Sequence, residues 1–170
     1  MMLHLYLTLW CKLRRRLRLL RSLRSPADWW LFCRIFLFAL LVPWRMRKPL
    51  PVVDHWLTPQ RRQRPVDARH VATILTYTQL AIAVGRPLVQ PRCLTRGVTL
   101  YYFLRRAGLA VDLHFGVSQR TTPFLAHCWL VLDSQSFAEP CDPCLTFTMV
   151  YRLPAPPGGE VPEESSSNNL

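Results

Sequence analysis

Residues 90–109, QPRCLTRGVTLYYFLRRAGL, decide how the rest of the chain is read. Pro91 restrains the entry, apolar residues come next at helical spacing and Gly108 is a stop signal. The spacing predicts a helix from about Cys93 to Ala107. Cys93 then stands at a helix N-terminus. The positive end of the helix dipole and the free backbone N–H groups there favour the thiolate, which is the nucleophilic form of cysteine. Arg92 and Arg96 bring positive charge close to it. The position equally suits a small buried residue, since free cysteine is among the most buried residue types. Helix logic alone leaves both readings open.

Beyond this helix the chain turns to a β pattern. Residues 110–117 (AVDLHFGV) alternate as a strand, 118–123 form a loop and 124–133 (FLAHCWLVLD) read as a second strand. A tight turn at Ser134-Gln135 leads to a third short strand near residues 136–140 (SFAEP). Before residue 90 the signals are helical. Residues 66–85 repeat apolar side chains at Val71, Ile74, Leu75, Thr78 and Ile82, with Gly85 as C-cap. Pro26 opens an earlier helix with Asp28 in its first turn. Residues 47–65 are rich in Pro and Arg and read as a connector with at most one short turn. Helices first and an antiparallel sheet after them make an α+β fold.

Two ends flank this region. Residues 1–25 read as a basic helix, loosely attached, with Arg14, Arg15, Arg16, Arg18, Arg21 and Arg24 among leucines. Such a helix suits peripheral contact with an anionic lipid surface, or a solvated face. Residues 155–170 are Pro, Gly, Ser and Glu with almost nothing apolar, so disorder is expected. Residues 29–44 (WWLFCRIFLFALLVPW) are the best membrane candidate. Arg34 interrupts that run and Pro43 ends it, so it falls short of the ~20 apolar residues a span needs and reads as a buried or interfacial helix.

The chain has 170 residues, half of them hydrophobic, which fits one domain and excludes a wholly disordered chain. The net charge of +12 is carried mostly by Arg, the only lysines being Lys12 and Lys48. A basic balance suits nucleic acid, anionic membrane or an acidic partner. The charge lies at the N-terminus and the strands are not basic, so nucleic acid is not expected. The N-terminus is a poor signal peptide, because its apolar part precedes its basic part and no small-residue cleavage site comes after. The six cysteines are therefore expected to be reduced thiols in the cytoplasm.

A nucleophilic Cys93 needs a base, and His127 lies mid-strand in AHCWLVLD. The base needs a polar group to orient it. Asp133, Glu139 and Asp142 are the candidates. Asp133 shares His127's strand face but lies about 20 Å along an extended strand, whereas Glu139 on the returning strand can lie opposite the ring. Cys141 and Cys144 form a lone C-x-x-C, which without a second pair reads as loop cysteines rather than a zinc site. His114 reads as a packed or surface histidine, and Trp129 either walls a site or fills the core. No phosphate-binding glycine loop is present, and no cofactor or metal is expected.

The wording and order of these residues carry a resemblance. Residues 93–117 (CLTRGVTLYYFLRRAGLAVDLHFGV), then AHCWLVLDSQSFAEPCDP and FTMVYRLP, resemble the leader-peptide protease of lasso-peptide biosynthesis, the transglutaminase-like B maturation protein. The resemblance is dense over residues 91–154 and loose back to about Pro26, which implies a transglutaminase-like domain over 26–154. It implies Cys93 as nucleophile, His127 as general base and Glu139 as the third member, where the family usually has Asp; Asp133 matches the family's turn. The implied reaction is removal of the leader from a precursor peptide, in the stand-alone form of the protease. A separate leader-binding protein and an ATP-dependent macrolactam synthetase are then the expected partners. Two rival readings remain: a divergent transglutaminase-like acyl-transfer enzyme, and a non-enzymatic basic, membrane-associated module.

Overall fold

The computed structural model describes residues 23, 25–48, 50–58, 66–86, 88–89, 93–118 and 125–154. The expected basic helix at 1–25, but for Leu23 and Ser25, and the expected disordered tail at 155–170 lie outside them. Among the described residues, four helices precede a four-stranded antiparallel sheet, so the fold is α+β. The helices are α1 (Pro26–Arg45), α2 (Leu50–Leu57), α3 (Ala68–Val84) and α4 (Cys93–Arg106). The strands are β1 (Asp112–Ser118), β2 (Leu125–Leu132), β3 (Gln135–Phe137) and β4 (Thr148–Leu153), in the order β3-β2-β1-β4. A 3-10 turn, Pro143–Leu145, precedes β4.

Local chemistry sets the helix ends. Ser25 and Asp28 form a capping box at α1, each side chain accepting from the other's backbone N–H at 3.1 and 3.0 Å. Asp67 caps α3 by accepting from Arg69 N. At the end of α4, Gly108 takes φ 97°, Leu109 N–H reaches Leu104 O and Gly108 N–H reaches Arg105 O, the paired bonds of a Schellman stop. Gly85 ends α3 as expected, but with right-handed φ −72°. Glycine is needed there for room, since a Cβ would come within 2.4 Å of Val89 and 2.7 Å of the Ala81 carbonyl.

The segment 47–65 corrects the expectation of a mere connector. Residues 50–57 form a helix that buries Val53 and Leu57. Pro51 is tolerated because it falls in the first turn, where its missing N–H has no helical partner in any case. Just beyond α2, Thr58 donates to Asp54 at 2.7 Å and shares a 3.0 Å hydrogen bond with Tyr101 in the middle of α4. Burial pushes the Tyr101 hydroxyl up to about 12.

The core lies between α1, α3, α4 and one face of the sheet. Ile35, Ala39 and Val42 of α1, Leu80 of α3, and Tyr101 and Leu104 of α4 are fully enclosed. The opposite side of α1 is also apolar, and Trp30, Leu37, Leu41 and Trp44 remain exposed on it. By length and composition alone, α1 is long and apolar enough to cross a membrane, but its inner stripe belongs to the core.

The sheet alternates. Leu113 pairs with Leu130 and Phe115 with Cys128, and this set faces α4, where Leu113 and Cys128 surround Gly97. His114 pairs with Trp129 and Gly116 with His127 on the other face, which Phe147 covers. The β2–β3 hairpin turns at Asp133 and Ser134, both with positive φ (49° and 65°), the backbone of a type I′ turn. The turn is thus one residue earlier than the pattern suggested. β4 goes beyond the three expected strands. Its register against β1 slips between Phe115 and Gly116, a bulge that leaves Val150 without a partner.

Candidate active site

Cys93 is the first residue of α4, half-buried, with the helix's opening N–H groups free of helical partners. It borders an apolar cleft of about 240 Å³ that also involves His127, Cys128, Phe115, Gly116 and Val150. The bulge in β4 therefore supplies a wall of the cleft. Hydrogen bonding from the Cys128 side chain, opposed by partial burial, and then from the Cys128 backbone N–H and the His127 ring, lowers the Cys93 thiol from 9.0 to about 5. Cys128 moves the other way: its hydrogen bond to Cys93 and its burial push its thiol up. Cys93 is thus the thiolate of the pair and Cys128 the proton donor.

His127 is held by rings. Its plane lies 14° from that of Trp129 with centroids 6.1 Å apart, and Phe147 lies 5.1 Å away. Trp129 is fully buried on the sheet face away from α4, where it packs with Phe147 and backs the histidine. Of the three carboxylates considered for orienting that ring, Glu139 is the one beside it. Glu139 Oε2 lies 3.9 Å from His127 Nε2, and the Glu139 side chain is only 8% exposed. Asp133 and Asp142 border a different cavity of about 560 Å³, with His114 and Arg152. Asp133 is spent on the hairpin turn, and Asp142 caps the 3-10 turn by accepting from Cys144 N at 3.1 Å.

The other oxygen of Glu139 belongs to Arg96, whose Nη1 lies 2.5 Å from Oε1. Arg96 Nη2 also donates to the carbonyl of Ala138. Ala138 has φ 60°, a left-handed conformation that turns the chain after β3 and sends Glu139 back toward α4. The sequence suggests that Arg96 lowers the Cys93 thiol directly. It is instead committed to Glu139, and the lowering comes from Cys128 and His127. Arg92 lies outside the described residues. The sequence offered one hint of this role: Arg96, three residues after Cys93, shares its side of the helix.

Cys128 is the second residue missed. It sits beside His127 in sequence, but alternation sends it under α4, where its Sγ would lie 3.0 Å from a Cβ placed on Gly97. Cys141 and Cys144 are exposed and free, and among the described residues no group of three His, Cys, Asp or Glu side chains is arranged to hold a metal ion. His114 is half-buried, and burial lowers its pKa.

A helix-start thiolate, a ring-held imidazole and a carboxylate behind it are parts suited to nucleophilic acyl chemistry. The model of the transglutaminase-like superfamily matches residues 35–152, and the chain belongs to that superfamily. Cysteine peptidase and acyl-transfer activities are typical of it. No curated protein and no solved structure matches the chain significantly.

Proposed function

We propose that this chain is a cytoplasmic cysteine peptidase that removes the leader from a lasso-type ribosomal precursor peptide. The observation that supports it best is the convergence of Cys93 and His127 on one apolar cleft, with Glu139 beside the imidazole, in the order and wording of the lasso-peptide leader proteases. Cys93 thiolate attacks the carbonyl carbon at the leader–core junction. Backbone N–H groups at the start of α4 receive the developing oxyanion. The C–N bond breaks, and His127 gives its proton to the departing core amine. Water, deprotonated by His127, then cleaves the thioester and releases the leader as a carboxylic acid. Glu139 orients the imidazole in place of the usual Asp, with the same charge and one more methylene.

In this reading a separate protein holds the leader, and a separate ATP-dependent synthetase closes the released core. The test is mass spectrometry of the cognate precursor incubated with this chain and the leader-binding protein. Cleavage at one junction is expected, with a loss of at least ~10³-fold in Cys93→Ala, whose circular dichroism and melting stay those of the parent. Cleavage that survives Cys93→Ala sinks the proposal. Superfamily membership favours one rival, acyl transfer, in which an added primary amine rather than water would appear in the product.

A further inference from the structure

The mechanism gives the Cys128 thiol a hydrogen bond to the nucleophile but no covalent bond to make. Cys128 is 2% exposed on β2. Its Sγ packs over Gly97, one turn along α4 from Cys93, in a spot where even a Cβ on residue 97 would be tight at 3.0 Å. Both cysteines border the same cleft. Cys141, Cys144 and Cys33 are exposed on other parts of the surface.

We propose that Cys93 and Cys128 form a peroxide-reactive pair, a modification site at which an alkyl or hydrogen peroxide entering the cleft converts the two thiols to an internal disulfide. Cys93 is half open to the cleft and Cys128 is closed off beneath it, so the oxidant meets Cys93 first. In the first step the Cys93 thiolate attacks the distal peroxide oxygen. The S–O bond forms, the O–O bond breaks, sulfur loses two electrons, and the departing alkoxide takes a proton to leave as alcohol or water. Cys93 is then a sulfenic acid. In the second step the Cys128 sulfur attacks the Cys93 sulfur. The S–S bond forms, the S–O bond breaks, and hydroxide leaves with the Cys128 proton as water. The negative charge that had kept Cys128 protonated vanished in the first step, which frees Cys128 to react in the second. A dithiol reductant reverses the change through a mixed disulfide. The disulfide removes the nucleophile while it lasts and stops Cys93 short of irreversible oxidation.

The experiment uses the full chain with Cys11, Cys33, Cys141 and Cys144 changed to alanine, treated with hydrogen peroxide or tert-butyl hydroperoxide and read by intact mass and peptide mapping. The expected product is lighter by two hydrogens, carries a Cys93–Cys128 cross-link and returns to the dithiol with reductant. In the same background Cys128→Ala should accumulate Cys93 sulfinic acid at least ~10-fold faster. A Cys93 that passes to sulfinic acid equally fast with and without Cys128 overturns the proposal. So does a Cys93 that resists peroxide. The unmodified chain supplies a check that needs no variant: a cross-link from Cys93 to any cysteine other than Cys128 also overturns it. The inference rests on the thiolate assigned to Cys93 but not on the peptide substrate. Iodoacetamide alkylation in parallel separates the two: brisk alkylation without disulfide formation sinks the pair alone, and absence of both sinks the nucleophile as well.

Discussion

Arg96 and Glu139 meet at 2.5 Å, joining the helix that starts with Cys93 to the loop that leaves β3. Glu139 keeps one oxygen for Arg96 and turns the other toward His127 at 3.9 Å. The thiol and the carboxylate are thereby tied through a single helical turn, because Cys93 and Arg96 are three residues apart on α4.

Arg96→Ala removes that tie. The mostly enclosed Glu139 carboxylate loses its charged partner and the Ala138 carbonyl its donor. The expected loss of kcat/KM is ~10–100-fold, the range for a group that orients a reacting side chain, with a stability cost of about 1–3 kcal/mol. Arg96→Lys should recover part of the stability and less of the activity, since an ammonium cannot hold both oxygens as a fork does. Steady-state kinetics and urea melts check both, and full activity in Arg96→Ala would show that the pairing is only structural.

The Cys93 thiol should titrate near 5 rather than near 9.0. Its alkylation rate should be flat around neutrality and fall as the pH drops through about 5. The same shift enters stability. Between about 5 and 9.0 the unfolded chain binds more protons at this thiol than the folded chain, so Cys93 makes the fold more stable as pH rises through that window. Loss of the Cys128 donor in Cys128→Ala should move the alkylation midpoint upward. A midpoint unchanged in that variant would remove Cys128 from the account of the thiolate.

Gly116→Ala should be costly. A Cβ there meets the Trp129 ring at 2.6 Å and the Thr148 carbonyl at 2.9 Å, and neither the buried ring nor the backbone can give way easily. The overpacking should cost about 1–3 kcal/mol. Because Gly116 is the β1 partner of His127 and Trp129 backs that ring, activity should fall more than stability predicts. Thermal melting alongside kcat/KM separates the two effects.

Ala138→Gly should raise stability. An alanine at φ 60° pays a left-handed penalty of roughly 1–2 kcal/mol that glycine escapes, less about 0.5–1 kcal/mol for the freer unfolded chain. The expected outcome in chemical denaturation is a small gain, and a clear loss would mean that the contacts of the Ala138 methyl outweigh its strain.

Much of this was legible in the chain itself, and the reasons differ by residue. The placement of Cys93 at the head of α4 came from local signals, Pro91 before it and Gly108 after it. β1 and β2 came from alternation. The choice of Glu139 as the acid nearest His127 depended on expecting a hairpin after β2, which forms although its turn, at Asp133 and Ser134, falls one residue before the expected Ser134-Gln135. Arg96 was harder, because its partner lies 43 residues away and one helical surface position resembles another in sequence. β4 hid because a bulge breaks its alternation, and α2 because its prolines read as breakers although Pro51 sits where a helix tolerates one. Cys128 hid behind its neighbour: attention to His127 conceals the residue that points the other way.

Phe147 lies against His127, and Val150 of the bulged β4 closes the cleft beside Cys93. Both come from the last described part of the chain, long after the nucleophile's helix in order of synthesis. A ribosome making this protein therefore releases Cys93 well before the groups that frame it. The nascent chain carries an ordinary cysteine until β2 brings Cys128 and His127 to it, and its cleft is closed only when β4 docks beside β1.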